Sequence, residues 1–301
     1  RQADCNEMEE NSMKRKYMII VLMAGALELT GCSQGTSNSA KNGTTGSENT
    51  IISESDIAIL DTEDMFTERD RDTEYDESEC TAISLSDEET KCDSDGVKMD
   101  GQTVTITEGG TYLLTGSLSN GSVVVDTDKT EKVQLILENV SIINEEGAGI
   151  CVEQADKVFI TLADGSTNKI VSNSFTGNED TNIDGAIFSR EDLTLNGSGT
   201  LKITSAAHGI VSKDDLVLTG GVYQIQSEKQ GLSGKESVRI ADGTFTITSG
   251  TDAIHSEDTD EDTKGFVYIT GGVLTLAAGG DGISSSYVVQ ADGGSFDIST
   301  S

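Results

Sequence analysis

Beyond residue 96 the chain alternates apolar and polar positions in short runs. The segments "LVLTGGVYQI" (216–225), "VRIADGTFTI" (238–247) and "VYITGGVLTL" (267–276) each hold two such runs split by a Gly-containing corner. A period of two predicts strands with one buried face. A third run precedes each pair and aligns on one aliphatic column: "GAIFSREDL" (185–193), "HGIVSKDDL" (208–216), "QGLSGKESV" (230–238), "DAIHSEDTD" (252–260) and "DGISSSYVV" (281–289). The column residues Ile187, Ile210, Leu232, Ile254 and Ile283 are 23, 22, 22 and 29 residues apart, and the last step equals 22 plus a seven-residue insertion. Three short strands per ~22 residues predict an all-β fold, a right-handed parallel β-helix solenoid. Leucine-rich repeats share the period, but their consensus leucines and asparagine are missing. The hairpins of a β-sandwich, the other rival, need no recurrent in-register motif. Upstream, "GQTVTITEGGTYLLTGSL", "VQLILENVSI" and "VFITLADG" predict less regular coils that start the stack.

The amino end has a different texture. From Met13 a basic start leads into an apolar run, Tyr17 to Leu27, and then Leu29-Thr30-Gly31-Cys32. This is the pattern of a lipoprotein signal peptide over 13–31 with Cys32 as the lipidated residue, which places the protein on a bacterial cell surface. The rival, a membrane helix, needs about 20 apolar residues, and Glu28 interrupts the run. Residues 1–12 precede the plausible start at Met13 and read as upstream extension. Residues 32–95, rich first in Ser, Thr and Gly and then in acids, read as a flexible tether, mostly disordered or loosely packed from 53 onward. The domain proper is expected over 96–301. The sequence stops at Ser301 inside a coil-like run, so the repeat is expected to continue.

Composition narrows the partners. The 301 residues carry a formal net charge of −33, with 33 glycines, no proline and no tryptophan. Such a surface repels phosphate backbones and anionic membrane faces, so nucleic acid is excluded and membrane contact is left to a lipid anchor. The scarcity of aromatics argues against a ring-stacking sugar platform. Five cysteines (Cys5, Cys32, Cys80, Cys92, Cys151) cannot all pair, and their spacings match neither a zinc motif nor a disulfide framework. A Cys80–Cys92 bridge is the one pairing left open.

Stacking converts the repeat into chemistry, because residues one coil apart lie in register at ~4.8 Å. Two positions before the column stand Gly185, His208, Gln230, Asp252 and Asp281; three after it stand Arg190, Lys213, Lys235, Glu257 and Ser286. A basic ladder therefore runs into an acidic one. Asp252 beside Asp281, with Glu257, Asp258, Asp260, Glu261 and Asp262 on the insertion, forms a corner of like charges that calls for a cation. Calcium, bound by oxygens at ~2.3–2.6 Å, suits that gap. The tract is not an EF-hand, since Thr263 stands where Gly is needed and Ile269 where a bidentate Glu is needed. The plain alternative is a solvated acidic loop.

The strings Ala186–Leu193, Gly209–Gly221 and Gly234–Ser256 resemble, in order, the cell-surface carbohydrate-binding β-helix proteins common in clostridia, which are similar in fold to family 9 pectate lyases. The resemblance spans roughly residues 95–301. It implies a calcium-containing β-helix that binds plant-wall polysaccharides, pectate and cellulose among them, without demonstrated cleavage. Ala253, where Gly is usual, and Ser286, in place of a charged corner residue, depart from the pattern and leave the ligand set open. The leading expectation is thus a lipid-anchored binding module. In it calcium on Asp252, Asp281, Glu257, Asp258, Asp260 and Asp262 bridges to a pectic chain, with Arg190, Lys213, Lys235 and His208 as glycan contacts. Two others stay open: a calcium-dependent lyase with Lys235 as base, and a structural spacer or adhesin without a glycan site.

Overall fold

The computed structural model describes residues 20–22, 59–176 and 181–301. Among them the protein is almost entirely β, with one short helix, Glu68–Arg71. Nine strands form one sheet: Val97–Asp100, Thr103–Ile106, Ser122–Asp126, Ile150–Gln154, Gly185–Ser189, His208–Ser212, Leu232–Gly234, Ile254–Ser256 and Ile283–Ser285. We call it the column sheet, because Ile187 pairs with Ile210, Ile210 with Leu232, Leu232 with Ile254 and Ile254 with Ile283. The long final step is the expected one, so the acidic insertion is looped out without breaking register. A hairpin between the first two strands is the sheet's antiparallel start, and every later pairing is parallel.

The other strands form a 17-stranded arrangement of two parallel runs, joined where Gly110–Leu118 pairs first with Lys132–Leu137 and then with Ser141–Asn144. Successive coils contribute one strand to each run, as Ser237–Ile240 and Thr244–Ser249 do. These long parallel stacks are consistent with a β-helix. The corner between the two runs turns on residues such as Gly197 and Gly221, at φ +97 and +99. A Cβ on Gly197 would sit 2.2 Å from the Leu162 carbonyl oxygen, so the corner admits only glycine there.

Alternation builds the core. In Thr244–Ser249 every second residue is buried, and the column residues Ile187, Ile210, Leu232 and Ile254 are fully buried. Tyr223 and Phe245 stack inside on adjacent coils, with centroids 4.9 Å apart, and the Tyr223 hydroxyl donates to the Gly220 carbonyl.

One expectation fails in part. From residue 59 the presumed tether is packed structure: Thr81–Leu85 adds a strand beside Gly110–Leu118, and Asp70 is buried. Acid-rich composition misled here because the acids have partners, as Asp70 does in Lys157. Cys80 and Cys92 are free thiols. Of the expected signal peptide, Ile20–Leu22 is a strand parallel to Val289–Ala291; Cys32 and the segment up to residue 58 lie outside the described residues. No described helix is long and apolar enough to cross a membrane.

Candidate functional site

The outer face of the column sheet carries one residue per coil in the row Val124, Cys151, Phe188, Val211, Ser233, His255 and Ser284. Its first part is apolar and covered. Phe188 packs with Ala148, Cys151 and Val211 under Ile183, and the Arg190 and Lys213 cations lie 5.5 and 5.4 Å from its ring centre. From Ser233 onward the row turns polar. There a groove of about 340 Å³ opens over Val211, Ser233 and His255. Asp184, the last residue of a second acidic tract at 173–184, lines it, as do Glu257 and Thr259 of the seven-residue insertion.

Three of the four expected glycan contacts, His208, Lys213 and Lys235, line this groove. His208 Nε2 lies 3.4 Å from Asp184 Oδ2, and Lys213 Nζ 3.6 Å from Asp184 Oδ1. Burial outweighs the neighbouring Asp184 carboxylate and, with nearby cations, brings the imidazole pKa down to about 4, so His208 is neutral at ordinary pH. Lys235 is held by Asp260 at 2.9 Å and Asp258 at 3.8 Å. The hydrogen bond to Asp260 raises its pKa, the opposite of what a catalytic base needs. Arg190 falls outside the groove wall: its Nε donates to Glu153 and its Nη2 to the Thr181 carbonyl.

Asp184 and Gln230, which are not among the glycan contacts expected from the sequence, also line the groove. Gln230 sits in the same ladder as His208, two positions before the column, and that was the signal available. Asp184 closes an insertion whose path no repeat dictates. Asp184 Oδ1, His208 Nδ1 and Gln230 Oε1 are buried and have no hydrogen-bond partner among the described residues. A larger hollow, about 520 Å³ beside Asn120, Asn144 and Glu145, differs in this respect. There Asn120 Oδ1 accepts from Glu145 N–H, Asn144 bonds the Glu146 N–H and the Ala148 carbonyl, and Glu145 accepts from Asn173.

The acidic corner is not assembled as a calcium site. Asp252 Oδ1 accepts the Asp281 backbone N–H at 2.8 Å and its Oδ2 meets His255 Nδ1 at 3.0 Å, while Asp281 itself is exposed. Asp258 is buried and accepts the N–H groups of Asp260 and Glu261. The first of these bonds is the chief cause holding its carboxyl below the usual range. Glu257 faces His255 Nε2 at 3.7 Å, Glu261 pairs with Lys264 at 2.9 Å, and Asp262 is exposed. No three acid, His or Cys side chains converge as a metal-binding group among the described residues. Asp252, Asp258, Asp260 and Glu261 take backbone N–H groups, His255 or a lysine as partners, while Asp262 and Asp281 stand exposed, so the expected donor set is not gathered around one cation position as folded.

This architecture has known counterparts. A protein of Acetivibrio thermocellus described as carbohydrate-binding domain-containing is 34% identical over 137 residues, 44% of this chain and 48% of that protein, so the match spans about half of that relative's length. The solved structure of a polysaccharide lyase-like protein from C. thermocellum, a gadolinium derivative, superposes with a TM-score of 0.67 at 30% identity, covering 72% of this chain and all of the other. Residues 100–301 match the family model described as carbohydrate-binding domain-containing protein, and the chain belongs to that family.

Proposed function

We propose that this is a surface-anchored polysaccharide-binding protein, a right-handed parallel β-helix of ~22 residues per coil. Its glycan site is the groove lined by residues of the two acidic tracts. The carrying observation is that three buried polar atoms without a hydrogen bond, on Asp184, His208 and Gln230, belong to residues lining that one groove. Each buried unpaired group costs about 1–3 kcal/mol, which a ligand that pairs it recovers. Membership of a carbohydrate-binding family supports a sugar as that ligand. Plant-wall glycans, pectic or cellulosic, are the class suggested by the sequence resemblance. Binding without cleavage is the favoured reading, since Lys235 is held protonated. The anchor is Cys32, and Cys32→Ala should leave the membrane fraction; unchanged partitioning would remove the anchor.

The test is affinity electrophoresis on a panel of plant-wall polysaccharides with wild type and the His208→Ala/Gln230→Ala double variant. Loss of two ligand hydrogen bonds should weaken binding by about tenfold or more. A double variant that melts like wild type and binds equally well would show that the groove is not the site.

A further inference from the structure

We infer that the groove is built to accept hydrogen bonds, so that its ligand is a neutral sugar presenting free hydroxyls rather than a uronate presenting carboxylates. This rests on the groove being the glycan site. An ionised carboxylate and an amide oxygen are acceptors only, which gives the role of Gln230 Oε1 and of Asp184 Oδ1, neither of which accepts a hydrogen bond although Lys213 Nζ stands 3.6 Å from the latter. His208 follows from its neighbour. Its Nε2 faces Asp184 Oδ2 at 3.4 Å, and an imidazole nitrogen beside a carboxylate carries the proton. In the neutral ring Nδ1 is then an acceptor as well. All three atoms lack a hydrogen bond and therefore call for donors.

A uronate carboxylate brings none. It would also add negative charge to a groove already lined by Asp184 and Glu257. The two ammonium groups that would attract it are engaged, Lys213 near Asp184 and Lys235 with Asp260 and Asp258. Sugar hydroxyls supply donors without charge. The ladder also has a suitable pitch: His208 and Gln230 lie on adjacent coils, linked by the Gly209 N–H to the Gln230 carbonyl at 2.9 Å, so neighbouring hydroxyls of one chain reach successive coils.

The experiment is isothermal titration of the protein with neutral hexasaccharides (cellohexaose, xylohexaose and mannohexaose), the O-methylated form of any that binds, hexagalacturonate, and calcium chloride alone. At least one neutral sugar should bind, and methylation, which removes donors and keeps acceptors, should reduce affinity at least tenfold. Gln230→Leu should reduce it by about tenfold, the loss of one hydrogen bond. The same variant should melt no lower than wild type, because it deletes a group unpaired in the free protein. Binding of hexagalacturonate as tightly as the neutral sugar, or equal binding of the methylated form, would overturn the inference and leave the groove as a glycan site. Calcium binding alone that disappears in Gln230→Leu would overturn it in favour of a cation. Failure of every sugar to bind would overturn the groove reading and this inference together.

Discussion

Lys235 lies 2.9 Å from Asp260 and 3.8 Å from Asp258, so a cation added to the acidic corner must compete with it for those carboxylates. Removing the competitor should raise the corner's cation affinity, and ligand-linked stability follows affinity logarithmically. Lys235→Ala should therefore show a larger rise in melting temperature between excess chelator and ~1 mM calcium than wild type shows. Equal rises would mean that Lys235 does not occupy the calcium position. Asp214 poses a different residue-scale question. Burial, then Asp192 and Glu236, raise its carboxyl pKa to about 7 from an ordinary 3.8. The folded state then binds the proton more tightly than the unfolded one. Its contribution is fully present below pH 3.8 and is lost as pH rises through about 7. Asp214→Asn removes the ionisation, so it should melt above wild type at pH 8 and lose that advantage at pH 4. A pH-independent difference would assign the effect to packing. Stacking arithmetic placed His208, Gln230 and Asp252 on one ladder from the sequence alone, and the backbone bonds between their coils agree. It did not tell which partner each would choose. Asp252 takes His255, three residues along the chain, and the Asp281 N–H.

At the scale of elements, residues 60–72 form a strap across the outer face of the parallel run that contains Lys132–Leu137 and Ser237–Ile240. Leu60 N–H donates to Gln290 Oε1, Phe66 stacks on Tyr268 with centroids 6.0 Å apart, and Arg239 donates to the Met65 carbonyl. Further along, Arg69 donates to Gln134 and lies over Phe159. The strap thus crosses from the coil of residue 290 to that of residue 134 while running forward in sequence. Asp70 is the fastening. It takes Lys157 at 2.8 Å, the Thr194 hydroxyl and both donors of its own N-cap, Thr67. Burial alone would raise its pKa, but these bonds outweigh burial and bring it to about 2. Asp70→Ala leaves the largely buried Lys157 ammonium without its carboxylate, a loss of about 3–5 kcal/mol for a buried pair. The variant should melt lower and be cut within 60–75 by a protease that spares wild type. Resistance and melting equal to wild type would mean that the strap does not depend on this pair. Acid should act likewise. A folded pKa below the unfolded one gives stability present above pH 3.8 and lost as pH falls toward 2, worth about 2 kcal/mol. The strap was illegible in the sequence because it has no period. Its fit is to a surface row (Gln134, Phe159, Thr194, Arg239, Tyr268, Gln290) that only the stack creates.

For the whole molecule, the repeat made the core readable and the charge made the corner misleading. The aliphatic column and its 29-residue step were visible because every coil must bury the same position, and a slip of one residue would turn that side chain outward. Charge follows no such rule: 53 acids against 20 Lys and Arg sum to −33, yet the balance at each carboxylate is settled locally by the N–H groups and cations within reach. What those partners leave is a long-range repulsion along a stack in which each coil touches only its neighbours. Salt tests this directly, since the screening length falls from ~30 Å at 0.01 M to roughly 6 Å at 0.3 M. Close pairs such as Lys235–Asp260 are attractive and weaken with salt, whereas the distant like charges are repulsive and far more numerous. Repulsion should win. A relief of about 1–2 kcal/mol corresponds to a rise of ~2–8 °C in melting temperature for a domain of this size. The measurement is thermal melting by circular dichroism from 0.01 to 0.3 M sodium chloride in chelator, so that no divalent ion contributes. A melting temperature that is flat or falls with salt would show that local pairs, rather than net charge, govern the electrostatics of the stack. Titration of a neutral hexasaccharide across the same range should leave its affinity unchanged, because no charge enters the groove with it.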